Sequence, residues 1–207
     1  MIKNIIFDFG NVLFDLDLDK IEQGFRQLFG PSYAQASEKL LRDNVFHRYE
    51  VGEITSAEFI EAIRLSAPPH PPHDAIVQVW NSIFLQMPKE RFELLLSLKN
   101  RYKVFLLSNI NDLHATWIDE YLVREHGIHD FKDRYFDGVY YSHLVRLRKP
   151  DLQIYEYMLE DAKINPEESI FIDDLLPNIQ AAEKVRIQGL LHPLGDNIIQ
   201  KMQPFLS

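Results

Sequence analysis

The sequence contains no cysteine. This absence excludes disulfide bonds, thiolate metal sites and cysteine nucleophiles, and it is typical of a cytoplasmic protein. Long apolar runs are absent too, since none approaches the roughly 18 residues that are needed to cross a bilayer. The apolar run at residues 2–7 is too short for a signal peptide and is followed at once by Asp8. We therefore expect a cytoplasmic protein that does not insert into a membrane.

Basic residues are in the minority. Lys and Arg number 22 against 31 Asp and Glu, which gives a formal net charge of −9 over 207 residues. Proteins that bind nucleic acid or an anionic membrane surface need a basic face, so the composition argues against both partners. Hydrophobic residues make up 46% of the chain, enough for a substantial core. The length fits one large domain, or one domain with a small addition.

Short apolar runs alternate with helical patterns along most of the chain. The runs, which are rich in branched and aromatic residues, predict buried strands at residues 2–7, 102–107, 136–141, 169–172 and 187–191. The intervening patterns predict helices at residues 89–99, 114–123, 152–162 and 177–185. This alternation predicts an α/β fold, with a Rossmann-like parallel sheet covered on both faces.

The spacing of the predicted strands is uneven. The segment between the first two strands is far longer than a crossover with one helix requires. It contains apolar residues at helical spacing, a capping-box pattern at residues 55–58 and a further apolar helix predicted at residues 75–84. We therefore predict an α/β core of residues 1–16 and 86–207, with an inserted helical cap of residues 17–85.

Polar residues collect at the predicted carboxyl ends of the strands, where chemistry concentrates in open parallel sheets. They are Asp8, Ser108 with Asn109, Lys149 at a helix start, and the pair Asp173 and Asp174. Each alone is an ordinary turn, cap or surface residue. Together, three carboxylates at adjacent strand ends would repel one another unless a cation neutralised them. Oxygen ligands without cysteine favour Mg²⁺.

This combination is typical of phosphoryl transfer. Asp8 could attack a phosphate dianion only if charge is offset, which Mg²⁺ and Lys149 would do. Ser108 and backbone N–H groups would hold phosphoryl oxygens. The attack would give an aspartyl-phosphate that water then cleaves.

Four motifs in order resemble the haloacid dehalogenase-like (HAD) superfamily. They are residues 7–12 (Phe-Asp-Phe-Gly-Asn-Val), 107–109 (Leu-Ser-Asn), 149–150 (Lys-Pro) and 171–174 (Phe-Ile-Asp-Asp), and they span nearly the whole chain. The Gly-Asn pair after Asp8 and residues 49–55 of the cap are similar to the small-cap bacterial sugar-phosphate phosphatases, including the glucose-1-phosphate phosphatase type. The resemblance implies the HAD fold with an inserted cap, and phosphatase activity.

The resemblance also implies a role for each matching residue. Asp8 would be the nucleophile and a metal ligand, and Gly10 would ligate Mg²⁺ through its backbone carbonyl. Asp174 would be a direct metal ligand, with Asp173 ligating directly or through water. Lys149 would pair with Asp8 and the phosphate. The substrate-binding residues would be Ser108, Asn109 and Asn11.

One position departs from the pattern of most phosphatases in the superfamily. They carry an aspartate two residues after the nucleophile, which protonates the leaving group and then activates water. This chain has Gly10, which keeps the carbonyl ligand but has no acid. A sugar hydroxyl, a bound water, Asp15 or Asp17 could substitute.

Three other functions stay open on the sequence. A 2-haloacid dehalogenase would attack carbon without a metal, which the pair of acids at residues 173–174 argues against. A receiver-type signalling domain uses similar groups, but in a different order and without the insert. A catalytically weak member could bind a phosphorylated metabolite. We expect Mg²⁺-dependent hydrolysis of a small phosphorylated metabolite, a sugar phosphate, by a monomer or homodimer.

The predicted cap contains residues that could set specificity. His47, Arg48 and Tyr49 lie where a substrate would be enclosed. Trp80 is expected to pack in a core, and His114 is expected on a helix surface.

Overall fold

A computed structural model describes residues 1–206. Its seven strands are β1 (Asn4–Phe7), β2 (Asp15–Leu16), β3 (Phe84–Gln86), β4 (Lys103–Ser108), β5 (Gly138–Tyr141), β6 (Ser169–Asp173) and β7 (Gln188–Leu191). The helices of the first part of the chain are α1 (Asp19–Phe29), α2 (Tyr33–Arg42), α3 (Val45–Glu50), α4 (Ser56–Arg64) and α5 (His73–Trp80). Those that follow are α6 (Lys89–Lys99), α7 (Asp112–His126), α8 (Phe131–Tyr135), α9 (Ser142–Val145), α10 (Leu152–Ala162), α11 (Leu176–Lys184) and α12 (Ile198–Leu206).

Five strands form one parallel sheet in the order β5-β4-β1-β6-β7. All four residues of β1 are buried because the strand lies at the centre of the sheet with a helical layer on each face. The predicted α/β fold with a parallel, Rossmann-like sheet is thus confirmed. The register places Phe7 beside both Leu106 and Ile172, so β1, β4 and β6 end at the same edge.

The alternation of side chains along β1 supplies two separate cores. Ile5 and Phe7 point into one cluster, which α6, α7, α8 and α12 cover. Ile6 points into the other cluster, which α10 and α11 cover. A third cluster, built from α1 to α5, lies within the long segment between β1 and β4. The division at residues 17 and 85 stays a prediction about domain boundaries.

The helices of the inserted segment begin where the sequence signals them. Thr55 caps α4, and the backbone N–H of Glu58 donates to its Oγ1 at 3.2 Å. The Glu58 carboxylate accepts from the backbone N–H of Thr55 at 2.8 Å. The capping box that the sequence predicts at this position is confirmed.

The predicted helix over residues 75–84 is wrong at its end. The α-helix stops at Trp80, a 3₁₀ turn covers Asn81–Ile83, and Phe84 begins strand β3. This strand pairs antiparallel with β2, with Leu16 opposite Phe84. The pairing joins the chain segment that leads into the insert to the segment that leaves it. A strand forms here instead of a longer helix because the pairing satisfies the backbone N–H and C=O groups of these residues.

Several hydrogen bonds join the insert to the sheet-bearing part of the chain. The Ser142 hydroxyl donates to the backbone oxygen of Glu50 at 2.7 Å. The backbone N–H of Leu113 donates to the Tyr49 hydroxyl at 3.0 Å. These contacts fix α3 over the carboxyl edge of the sheet. Within residues 1–206, no helix combines the length and apolarity needed to cross a membrane.

Candidate active site

Three carboxylates meet at the carboxyl edge of the sheet. Asp8 follows β1, Asp173 ends β6, and Asp174 is next along the chain. Each offers an oxygen, and these three oxygens lie within 4.8 Å of one another. Asp8 and Asp173 are buried, and Asp174 is half-buried. The shared register of β1 and β6 brings them together although the chain separates them widely.

Lys149 lies between two of these carboxylates. Its Nζ is 2.7 Å from Asp8 Oδ1 and 2.7 Å from Asp173 Oδ2, and the residue is only 1% exposed. Burial opposes the charge on Lys149, but the two carboxylates outweigh it and raise its pKa. Burial raises the pKa of Asp8, and Asp173 adds to this effect while Lys149 opposes it. One ammonium group cannot neutralise three carboxylates, so the site retains negative charge.

Asp173 is held by further donors that fix its position. The Asn178 amide donates to both of its oxygens at 3.0 Å, and the backbone N–H of Leu175 donates to Oδ1 at 2.8 Å. Asp174 receives fewer bonds, from the Asn11 amide at 3.2 Å and from its own backbone N–H. Asp174 therefore keeps more unused oxygen lone pairs, and we regard it as the freer carboxylate for a cation.

A tight loop after β1 places Asn11 beside these acids. Asn11 has a φ of 56°, a left-handed conformation that asparagine tolerates better than most residues. Its side-chain oxygen accepts from the backbone N–H of Leu16 at 3.2 Å, so the side chain both closes the loop and reaches Asp174. A Cβ at Gly10 would lie 2.7 Å from Leu16 Cδ1, so the Leu16 side chain occupies the space beside Gly10.

The end of β4 supplies Ser108 and Asn109. Ser108 is buried and lines a cavity together with Gly10 and Asn109, at the carboxyl edge of the sheet. Asn109 donates to the backbone oxygen of Lys149 at 2.9 Å and accepts from the backbone N–H of Lys149 at 2.9 Å. Asn109 thus fixes the backbone that carries the lysine, in addition to lining the cavity.

A cavity of about 390 Å³ lies between this edge and the insert. The core contributes Gly10, Ser108 and Arg148 to its lining, and the insert contributes His47 and Glu50. Arg148 Nη2 lies 3.0 Å from Glu50 Oε2, so an ion pair joins the two sides of the cavity. Burial raises the pKa of Glu50, and Arg148 opposes that shift.

Trp80 and His114 belong to the aromatic lining of the same cavity. Trp80 packs in the cluster of the insert as predicted, and its Nε1 donates to Asn111 Oδ1 at 3.2 Å. The expectation that His114 lies on a helix surface is wrong, since it is 7% exposed and stacks on Trp80 with ring centroids 4.9 Å apart. Its two ring nitrogens contact the Trp80 carbonyl and the Asn111 amide. Burial lowers the His114 pKa to about 4, so the ring is neutral at physiological pH.

The substitution of Asp15 or Asp17 for the acid that is missing at Gly10 stays a prediction, and for Asp15 the contacts argue against it. Asp15 lies in β2, and its Oδ1 is 2.6 Å from Nη2 of Arg91 on α6. That ion pair directs Asp15 toward the sheet-bearing part of the molecule.

The predicted site residues thus lie together, and the structure adds others. Asp8, Ser108, Lys149, Asp173 and Asp174 meet at one edge of the sheet as the strand ends predict. The additional residues are Asn178, Glu50 and Arg148, which touch the site through hydrogen bonds or line the cavity. Their positions depend on helix faces and on docking of the insert, for which the sequence carries no short motif.

The donor set fits a divalent cation with a preference for oxygen. Three carboxylates converge here. Two of them, Asp8 and Asp173, form ion pairs with Lys149, and this one ammonium group cannot balance the charge of all three. Carboxylate and carbonyl oxygens are ligands that Mg²⁺ prefers. Asp8, Asp174 and the Gly10 carbonyl are the groups that would hold such an ion, with Asp173 beside them.

Comparison with known proteins supports the interpretation drawn from the motifs. The profile of the haloacid dehalogenase-like hydrolases matches residues 2–186. Over 209 residues, the chain is 29% identical to a D-ribitol-5-phosphate phosphatase from Bacteroides thetaiotaomicron, and the match covers 100% of both chains.

Solved structures agree with this. A HAD family enzyme from Bacteroides thetaiotaomicron, crystallised with magnesium and inorganic phosphate, is 31% identical and superimposes with a TM-score of 0.85. That match covers 98% of this chain and 100% of the enzyme. An L-2-haloacid dehalogenase from Xanthobacter autotrophicus is 19% identical with a TM-score of 0.55, over 91% of this chain and 76% of the dehalogenase. This second likeness concerns the fold alone.

Proposed function

Because the chain belongs to the haloacid dehalogenase-like hydrolases, we propose that it hydrolyses a small phosphate monoester with the aid of Mg²⁺. The observation that carries this proposal is the cluster of Asp8, Asp173 and Asp174 around the buried Lys149. The phosphatase that is related over its full length acts on D-ribitol 5-phosphate. We therefore infer that the substrate is a sugar phosphate or sugar-alcohol phosphate. A cytoplasmic location and a monomeric or dimeric state belong to the same proposal.

The reaction begins at Asp8. A carboxylate oxygen of Asp8 forms a bond to phosphorus while the bond from phosphorus to the alcohol oxygen breaks, which leaves an aspartyl-phosphate. Lys149 stabilises negative charge between Asp8 and the phosphoryl group, and Ser108 donates to a phosphoryl oxygen. Bound Mg²⁺ would supply further positive charge next to the transferring group.

The second step restores Asp8. Water, as hydroxide, attacks phosphorus, the bond to the Asp8 oxygen breaks, and inorganic phosphate leaves. In the first step the departing alcohol takes its proton from a bound water, since Gly10 offers no acid, and the hydroxide that this leaves is the nucleophile of the second step. Asn178, Asn109 and Asn11 act as positioning residues for the acids and the lysine.

Replacement of the nucleophile tests this proposal. We expect phosphate release from D-ribitol 5-phosphate and from a panel of sugar phosphates, with Mg²⁺ required and EDTA inhibitory. Asp8→Asn keeps the shape of the side chain but removes its nucleophilic oxygen, so the rate should fall about a thousand-fold or more. The matched control is Asp119→Asn, which alters an exposed carboxylate that pairs with Lys132.

Three outcomes would contradict the proposal. Phosphate release that survives Asp8→Asn would remove Asp8 from the nucleophile position. Chloride release from 2-haloacids in the presence of EDTA, without phosphate release, would instead indicate a dehalogenase. Binding of sugar phosphates without turnover would indicate the catalytically weak alternative.

A further inference from the structure

The ion pair between Glu50 and Arg148 is the charged feature of the cavity that the proposed chemistry does not use. Glu50 ends α3 in the insert, and Arg148 immediately precedes Lys149. Both side chains are partly accessible, at 26% and 31% respectively, and both line the cavity that also contains Gly10 and Ser108. A substrate whose phosphoryl group is held at Ser108 would therefore extend its alcohol part through the cavity toward this pair.

The cavity wall around the ion pair contains polar atoms that have no hydrogen-bond partner. Within residues 1–206, Arg148 Nε and His47 Nδ1 are buried and have no hydrogen-bond partner. Buried polar atoms are normally satisfied, so each of these is suited to a polar group that a ligand would bring. Hydroxyl groups can both donate and accept, and they match carboxylate, guanidinium and imidazole groups at once.

The charges of this wall cancel. Glu50 and Arg148 are the acidic and basic residues among those that line the cavity, and they neutralise each other. His114 is neutral because burial lowers its pKa to about 4. A second anionic group on the substrate would be repelled by Glu50, and the Arg148 guanidinium is already paired with that carboxylate.

On this basis we propose that Glu50 and Arg148 form a subsite that binds the hydroxyl groups of the leaving alcohol and selects neutral, polyhydroxylated phosphate monoesters over phosphorylated acids. The subsite rests on the proposed phosphatase function and names its substrate class. Glu50 and Arg148 determine specificity here, and Asp8 remains the nucleophile.

Three substrates of similar length test the subsite in the full-length protein with Mg²⁺. They are D-ribitol 5-phosphate, n-pentyl phosphate, which lacks the hydroxyl groups, and 5-phospho-D-ribonate, which adds a carboxylate. Glu50→Ala should lower the ratio of kcat/KM for ribitol phosphate to pentyl phosphate by about tenfold, because hydroxyl contacts are lost. Glu50→Gln should raise the ratio for phosphoribonate to ribitol phosphate by about tenfold, because Arg148 is then free to bind the carboxylate.

Control variants separate this effect from general damage. Glu53→Gln alters an exposed glutamate of the insert, 3.6 Å from Arg48, and should leave both ratios unchanged. The bond from Ser142 to Glu50 uses the Glu50 backbone oxygen, so both Glu50 variants keep that contact with the core. Because each readout is a ratio between substrates of one variant, a partly unfolded preparation does not alter it.

Each outcome is decisive. Ratios that stay within about twofold of wild type in both Glu50 variants would overturn the subsite while leaving the phosphatase function intact. A wild-type protein that releases phosphate from none of the three esters and from no member of the panel of sugar phosphates would overturn the phosphatase function and the subsite with it.

Discussion

A single ammonium group, that of Lys149, holds two buried carboxylates 2.7 Å away on either side. Buried charges of one sign are costly when no opposite charge is near them. The lysine therefore stabilises the fold in the metal-free state as well as contributing to the proposed chemistry.

Lys149→Ala should reduce both activity and stability. We expect loss of most of the phosphatase rate, and a decrease of about 3 kcal/mol in the free energy of unfolding without Mg²⁺, because Asp8 and Asp173 lose their common partner. Urea denaturation measures the second effect. Lys132→Ala, which breaks a surface ion pair with Asp119, should cost less than about 1 kcal/mol. An unchanged rate in Lys149→Ala would remove this residue from the site.

The absence of an acid at Gly10 has a kinetic consequence. Without a protein acid, the negative charge that develops on the departing oxygen depends on the acidity of the alcohol itself. Across a series of phosphate monoesters without other polar groups, we expect kcat/KM to rise steeply as the pKa of the leaving alcohol falls. Steady-state kinetics on alkyl and aryl phosphates provide the slope. A flat dependence would indicate a proton donor in the protein.

At the scale of elements, the sequence predicts the sheet better than the connections. The five strands of the parallel sheet are each found within a few residues of their predicted place, although β7, at the edge of the sheet, has no buried residue. The two short strands β2 and β3 could not be predicted, because each has too few residues for a pattern and their pairing links distant segments. Helix α12 was not predicted from the sequence either.

The candidate site likewise contains residues that the sequence predicts and residues that it does not. Asp8, Ser108 and Asp173 follow from strand ends, because parallel strands place their carboxyl ends at one edge. Glu50 and His114 could not be predicted, since their direction depends on how α3 and α7 face each other across the cavity. Sequence periodicity does not fix that docking.

Gly52 is critical to the junction between the insert and the core. Its φ is 67°, and a Cβ there would overlap the backbone oxygen of His143. Gly52→Ala should therefore combine the backbone cost of about 1–2 kcal/mol with a collision that pushes α3 away from the core. We expect a clear loss of Tm together with a raised KM.

The matched control is Gly127→Ala. Gly127 has a φ of 64° in the left-handed region, but no atom lies within 4 Å of the point that a Cβ would occupy, so this variant carries the backbone cost alone. The difference between the Tm losses of the two variants, measured by thermal denaturation, gives the effect of the collision. Equal losses of Tm would argue against a close approach at Gly52.

At the scale of the whole molecule, metal binding is coupled to pH and to stability. In the metal-free protein, burial raises the Asp8 pKa to about 7. A proton therefore competes with Mg²⁺ at this carboxylate below neutral pH. Above it, the ionised carboxylate destabilises the metal-free fold until a cation binds.

The increase in Tm on adding a fixed concentration of Mg²⁺ should thus be larger at about pH 8 than at about pH 6. Differential scanning fluorimetry with and without Mg²⁺ at each pH measures this increase. Because the two samples compared share one pH, groups whose titration does not affect metal binding contribute equally to both Tm values. In Asp8→Asn the increase should be small at both values. A larger increase at the lower pH would contradict the assignment of Asp8 as a ligand.

The central position of β1 also governs the order in which the chain can fold. Strand β1 leaves the ribosome before its neighbours in the sheet, β4 and β6, whose residues are synthesised much later. The helices of the insert form local contacts in the meantime, whereas Ile5, Ile6 and Phe7 have no partners until β4 has emerged. We expect the nascent chain to display an unpaired apolar strand for much of its synthesis, which makes this protein dependent on rapid completion or on chaperones.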